Sequence, residues 1–290
     1  MKMKANNMTA NEKRLATMRA NLENLETAAG ALLEKGDNMT AAERAALLEM
    51  VNIAYHDSGK IEGAASIDGS ASCDFCMKMR GAAEENILII CGMCYAAADS
   101  WKEAAWRRHK LNARILSSVL FTKEELSSVV LPSDITRINE DGDVINVTHA
   151  RNILRIIETH GNMSRFGFWF KNHAAVAAGL DAEGVRDNDE KRRRYNARFV
   201  QSSILIGFPA QPQWFSDVIF TVYPDKETTL EAIASGAHEC NGRKCKECGW
   251  NCYNARKNAE GLQHVAEYLR TNKAKRSAVM EAYTAKKESI

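Results

Sequence analysis

Two groups of cysteines constrain this chain more than anything else in it. The first runs Cys73-x2-Cys76, then fourteen residues, then Cys91-x2-Cys94, and the second runs Cys240-x4-Cys245-x2-Cys248-x3-Cys252. A two-residue gap lets both thiolates of a turn face one metal centre while backbone amides point at the sulfurs. Two such gaps in a four-cysteine set are a metal-binding pattern. Cysteines buried only as small hydrophobes have no reason to keep this spacing. A disulfide framework needs an oxidising compartment. The start, Met1-Lys2-Met3-Lys4-Ala5-Asn6-Asn7, is basic but has no apolar stretch behind it, and no run of about 18 apolar residues occurs. The expectation is a cytoplasmic protein with no membrane partner, whose eight cysteines form two four-thiol metal sites.

Two metals fit this pattern. Zinc suits the paired gaps of the first group and the knuckle-like Cys245-Lys246-Glu247-Cys248-Gly249. An iron–sulfur cluster, [4Fe-4S] in one or two copies, suits the crowded run Cys245-x2-Cys248-x3-Cys252, which wraps a cluster more naturally than it brackets one ion. Phe75, Met77, Met79, Met93, Tyr95, Trp250 and Tyr253 surround the cysteines in sequence and would shield a cluster from water. The iron–sulfur reading is favoured and zinc stays open. His238, two residues before Cys240, is a candidate replacement for one thiolate.

With 290 residues, 45% of them hydrophobic, the chain can bury a full core. Residues 9–35 read as a helix, and Thr40-Ala41-Ala42-Glu43 is a capping box that opens a second helix reaching Tyr55. Residues 59–72 are rich in Gly, Ser, Ala and Asp and read as a loop leading to the first cysteines. A long helix is expected over 95–121. Strands are expected over Ile135–Ile138, Val144–Val147, Arg165–Phe170, Phe199–Ile206 and Asp217–Tyr223, and helices over Ala150–Thr159, Ala174–Leu180 and Thr228–Ser235. The charged segment Asp181–Arg194 reads as a surface excursion and residues 254–287 as a closing helical tail. This alternation predicts an α/β protein with a parallel or mixed sheet, a partial barrel being one form of it. The expected organisation is a helical extension over 1–58, a metal-binding α/β domain over 59–255 and a helical tail over 256–290.

Ile61-Glu62-Gly63, Ser66-Ile67-Asp68, Cys91-Gly92-Met93-Cys94-Tyr95-Ala96, Arg137-Ile138-Asn139-Glu140-Asp141-Gly142-Asp143 and the terminal cysteine run follow one another in an order that resembles the gene product 88-like proteins of phages and mobile elements. The resemblance covers about residues 60–255 and implies a phage or prophage origin and a metal-bearing α/β domain, with no settled activity. Cys76-x14-Cys91-x2-Cys94, with Cys73 to spare, also resembles an expanded radical-SAM motif, and the second group then resembles an auxiliary cluster. The usual CxxxCxxC and a Gly-Gly-Glu-like stretch are both missing.

Other chemistry is sparse. No HxH, HExxH, P-loop, GxGxxG or GxSxG occurs, so histidine-metal, nucleotide triphosphate and serine hydrolase chemistry have no support. Asp141-Gly142-Asp143 and Lys171-Asn172-His173 would fall at strand ends, where α/β proteins bind ligands, although a β-turn accounts better for the first. The net charge of +2 predicts neither nucleic-acid nor membrane binding. The basic runs Arg107-Arg108-His109-Lys110, Lys191-Arg192-Arg193-Arg194 and Lys273-Ala274-Lys275-Arg276 have acidic neighbours and read as solvated faces. Two functions remain. The first is an iron–sulfur protein doing redox or lyase chemistry on a small polar or thiol substrate at an open iron. The second is a zinc-stabilised module that binds nucleic acid or a host protein.

Overall fold

The structure is a computed structural model that describes residues 10–69, 74–93, 103–140, 142–186, 188–240, 244–248 and 252–290. Cys73, Cys94, Tyr95, Trp101, Asp141 and Trp250 lie outside the described residues, as does the whole basic start Met1–Asn7.

In chain order the elements are helices α1 (Ala10–Leu33) and α2 (Ala41–Glu49), strands β1 (Ala54–Tyr55) and β2 (Ala65–Ile67), and helices α3 (Asp74–Glu85), α4 (Glu103–Ser118) and α5 (Lys123–Leu126). Then come β3 (Ile135–Ile138), α6 (Val147–His160), β4 (Arg165–Phe170), α7 (His173–Ala182), α8 (Asp189–Arg194), β5 (Ala197–Ser202) and β6 (Val218–Tyr223). Helix α9 (Lys226–Ala234), β7 (His238–Glu239), β8 (Gln263–Tyr268) and α10 (Lys273–Glu288) complete the chain. The strands form one sheet in the order β1-β2-β3-β4-β5-β6-β8-β7, antiparallel only between β1 and β2.

From β2 to β6 neighbours in space are neighbours in sequence, so the sheet is wound in one direction. Right-handed crossovers then keep the helices on one face. The side chains agree. Ile138, Phe166, Phe168, Phe170, Ala197 and Phe199 pack with Ile153, Leu154 and Ile157 of α6 and Val176 and Leu180 of α7. Farther along the same face, Tyr223 and Ala266 meet Ala232 of α9. Phe168 stands 5.6 Å from both Phe170 and Phe199, ring centre to ring centre, and each such buried ring contributes about 1.5–3 kcal/mol. Asn152 of α6 ties this layer to the end of α4. Its Nδ2 donates to the carbonyls of Leu116 and Val119 at 2.7 Å, and its Oδ1 accepts from Phe121 N–H at 3.0 Å.

The sheet is strongly curled. Five strand spacings of about 4.8 Å would separate β2 from β8 by roughly 24 Å in a flat sheet. Yet Lys60, in the turn before β2, reaches Glu267 of β8 at 3.4 Å. The product is a partial α/β barrel, and among the described residues no helix layer covers its concave face.

Several expectations hold in position as well as kind, among them β3, β4, β6 and the Thr40–Glu43 capping box. Others need correction. Helix α2 ends at Glu49, and Ala54–Tyr55 pair with β2 instead of extending it. The loop expected over 59–72 contains β2, short and fully buried. Val144–Val147 is no strand, because Val147 already opens α6 behind the Asn146 cap. The charged 181–194 segment is not wholly superficial, since Glu183 is buried and takes Arg151 and Arg155 at 2.8 and 3.0 Å. The helical tail read over 256–290 begins with a 3-10 helix, Ala255–Glu260, but becomes α-helical only from Lys273, and β8 inserts between the two, pairing with β6 and β7.

Candidate metal centre

Strand alternation decides which side chains face the concavity. Residues in register share a face, so Ser66, Arg137, Gly167 and Arg198 form one row across β2 to β5. Trp169, Val200, Val218 and Gln263 form the next row, and Ser202, Phe220 and Val265 the one above it. The concavity is a cavity of about 510 Å³. Cys91, Cys240, Cys245, Cys248 and Cys252 all line it, together with Lys60, Arg137, Trp169, Tyr253 and Glu267. The whole second cysteine group thus converges on one space, although its members are spread over thirteen sequence positions.

Specific contacts seat that group. Cys240 continues β7, its N–H donating to the Ala266 carbonyl at 2.8 Å. Cys245 N–H donates to the Lys60 carbonyl at 2.7 Å, and Lys244 pairs with Glu62 at 2.9 Å. This fastens the cysteine segment to the β1–β2 turn across the barrel opening. Cys252 and Tyr253 lie directly on the sheet over Gly167. A Cβ there would stand 2.8 Å from the Tyr253 ring and 3.0 Å from the Cys252 carbonyl. A glycine in the middle of an aromatic strand marks a close backbone approach, and here it admits the last ligand candidate.

The electrostatics suit a bound cation. Burial pushes the Cys252 thiol up to about 12, the neighbouring Cys240, Cys245 and Cys248 push the same way, and Arg198 opposes them. Burial also raises Cys245, against the pull of Arg137 and Lys60. Burial acts to lower Lys60, but Cys240 and Glu267 outweigh it and hold its pKa above the ordinary lysine value. Burial thus disfavours the thiolate at Cys245 and Cys252. A metal that takes the thiolates removes the repulsion, and the surrounding cations offset the remaining charge.

Two members of the first group, Cys76 and Cys91, are among the described residues. Cys76 lies on α3 and Cys91 in the 3-10 turn Ile90–Met93, both on the segment that follows β2. Ile90 N–H donates to the Ile204 carbonyl at 2.9 Å and Ile206 N–H to the Leu88 carbonyl at 2.8 Å. Helix α10 packs behind this clamp through Val279 and Tyr283. Cys91 and Met93 are thereby held at the cavity mouth. Cys240, Cys245, Cys248 and Cys252 are free thiols. Among the described residues, no group of three or more His, Cys, Asp and Glu side chains is arranged to hold a metal ion.

Of the other candidates, Met77 is 51% exposed and shields nothing. His238 sits on the edge strand β7 and does not line the cavity. Asp143 does line it, but its carboxylate accepts the backbone N–H groups of Val144, Lys171 and Asn172, and Gly142 adopts φ +77°; the β-turn expected here includes Asp141, which lies outside the described residues. Asn172 caps α7, while Lys171 faces the cavity. Arg107 pairs with Glu26, Arg192 with Asp217 and Arg194 with Glu190, so the first two basic runs are tied into ion pairs. Sequence reading had given no role to Lys60, Gly167, Trp169 or Arg198. The available signal is a glycine among the aromatic residues of β4 and the two arginines, Arg137 and Arg198, flanked by buried neighbours in β3 and β5.

Comparison with family models, curated proteins and solved structures returned no match for this chain. Among the described residues no helix is long and apolar enough to cross a membrane.

Proposed function

We propose that Cys240, Cys245, Cys248 and Cys252 hold an iron–sulfur cluster, and that the chain acts on a small polar or thiol substrate in the cavity beside it. The observation that carries this reading is that four thiols from one short segment line a single cavity of about 510 Å³. A structural zinc site is a closed four-thiolate shell with sulfurs about 3.8 Å apart and no reason to face a cavity. A cluster is wider, carries more charge and gains from the apolar wall of Trp169, Phe220 and Tyr253 and the cations Lys60 and Arg137. When bound it would supply electron transfer, or Lewis acidity if one iron is left open. The chain's own residues would exclude water and balance charge. The likeness to gene product 88-like proteins, with its phage or mobile-element origin, belongs to this proposal too.

A second reading, a radical-SAM-like enzyme in which the Cys240–Cys252 site is auxiliary, draws on one further observation. The first cysteine group follows the first parallel strand, and Cys91 faces the same cavity.

Anaerobic purification followed by iron, sulfide and zinc analysis tests the main proposal. Iron with matching acid-labile sulfide is expected, with loss of one cluster's iron in Cys252→Ser. A colourless chain with stoichiometric zinc and no sulfide rejects it. For the second reading, S-adenosylmethionine should change the electron paramagnetic resonance of the reduced protein, and an unchanged spectrum removes it.

A further inference from the structure

The carboxyl ends of β2, β3 and β4 carry a polar network that the cysteine site does not use. Ser66 Oγ, in β2, donates to Oδ2 of the buried Asp68 at 2.6 Å. With its hydrogen spent there, the hydroxyl accepts from His56 Nε2 at 2.9 Å, so that nitrogen carries a proton. The same Nε2 stands 3.3 Å from Glu140 Oε2. Asp68 Oδ1 in turn accepts the Glu140 N–H at 2.7 Å. Main chain and carboxylate of Glu140 are thus both held, and the side chain, 28% exposed, lines the cavity. Lys171 is fixed at the next strand end, where its N–H donates to Asp143 Oδ2 at 2.8 Å, and it lines the same cavity. Strands β3 and β4 are parallel neighbours that stay in touch past their ends, since Asn139 Nδ2 donates to the Trp169 carbonyl at 2.9 Å. Glu140 and Lys171 therefore emerge from adjacent strands. The turn that presents Glu140 is strained. Asn139 has φ +60°, alone among the described non-glycine residues in being positive, and its buried Oδ1 has no hydrogen-bond partner among the described residues. Strain of this kind concentrates at ligand sites.

These groups restrict what can bind. A cavity of about 510 Å³ has the size of a small-molecule site, and parallel α/β sheets take their ligands beyond the carboxyl ends of the strands. Trp169 and Phe220, edge to face with ring centres 4.9 Å apart, give it an apolar wall, beside which a charge attracts its opposite more strongly than in water. Neighbouring strand ends offer one anion and one cation. A ligand of a single sign answers only one of them. A ligand with an ammonium and a carboxylate on the same small head group answers both.

We propose that the ends of β3 and β4 bind the head group of a small amino acid, Glu140 taking the ammonium and Lys171 the carboxylate. His56, Ser66 and Asp68 are positioning residues that hold the Glu140 carboxylate in place. This deepens the reading of the cavity as a substrate site, on which it rests, and is independent of the metal.

The test is isothermal titration of the full chain, purified without oxygen, with the common amino acids one at a time and with the N-acetyl and carboxamide forms of any that binds. At least one amino acid should bind, and either modification should weaken it by about tenfold or more. Glu140→Gln should weaken the parent amino acid by a similar factor, and N-acetylation should then cost little further. Lys171→Met should stand in the same relation to the carboxamide. Circular dichroism and urea midpoints verify that both variants fold. A folded Glu140→Gln that still loses the full factor on N-acetylation overturns the assignment, because the ammonium then has another partner. Should the variants not fold, the modified ligands carry the test on the wild type, and equal affinity for the parent and both analogues overturns it. A panel in which nothing binds overturns it as well. Iron and sulfide analysis of the same preparation keeps the two readings apart. An amino acid bound by a chain without iron and sulfide rejects the cluster and upholds this assignment, whereas a loaded chain that binds none upholds the cluster and rejects the assignment.

Discussion

Replacing Gly167 by alanine adds one methyl group at the point where the cysteine segment touches the sheet. The new Cβ would lie 2.8 Å from Cδ1 and Cε1 of Tyr253 and 3.0 Å from the Cys252 carbonyl oxygen. Neither neighbour yields easily, since Tyr253 is 1% exposed and the other atom is backbone. Overpacking of this kind costs about 1–3 kcal/mol. Against it, alanine restricts the unfolded chain and recovers about 0.4–1 kcal/mol. The net expectation is a destabilisation of about 1–2 kcal/mol, together with displacement of Cys252 and reduced metal uptake. Urea unfolding and metal analysis of the same preparation measure both. Gly81→Ala is the control, because Gly81 is exposed within α3 with nothing within 4 Å of its added Cβ. That change should stabilise the chain by about 0.5–1 kcal/mol. Truncating Tyr253 to alanine should relieve Gly167→Ala, with a coupling of about 0.5 kcal/mol or more in a double-mutant cycle. A neutral or stabilising Gly167→Ala with full metal content would refute the reasoning.

Two further predictions concern the helix layer. His149 is buried, accepts the Ile145 N–H at 3.2 Å, and is lowered by burial to about 4. Its folded value lies below the unfolded one, so the unfolded chain takes up the proton first. Stability contributed by neutral His149 is therefore present above about pH 6.5 and is lost as pH falls toward 4, by about 3 kcal/mol in all. Urea midpoints at pH 7 and pH 4.5 should show a shallower acid loss in His149→Gln, and an equal loss in both proteins would discount the histidine. Asn152→Ala should cost about 3 kcal/mol, because two carbonyls at the end of α4 and the Phe121 N–H lose their partner inside the core. A thermal or urea measurement giving under about 1 kcal/mol would mean that water replaces the amide.

Local pattern made part of this fold legible. In Arg165–Phe170 the strand composition is unmistakable, and alternation sends Phe166, Phe168 and Phe170 one way and Gly167 and Trp169 the other. The apolar spacing of α6 and the Thr40 capping box are equally local, since each depends on residues three or four apart. Strand β2 escaped because its three residues, Ala65, Ser66 and Ile67, have no pattern of their own and exist as a strand only through β1 and β3. Strand β8 escaped for a related reason. Gln263–Tyr268 carries polar residues that suit a tail, and its place in the sheet comes from pairing with β6, forty-five positions earlier in register.

The cysteines divide in the same way. Their spacing alone grouped them by fours, because ligands on one turn are a matter of local geometry. It could not show what the groups face. Curling of the sheet brings Lys60 across to Glu267, Cys252 rests on Gly167, and Cys91 lines the same cavity as Cys240, Cys245, Cys248 and Cys252. Each of those juxtapositions joins residues far apart along the chain. They depend on strand order and register, which form only when the helix layer packs on the other face.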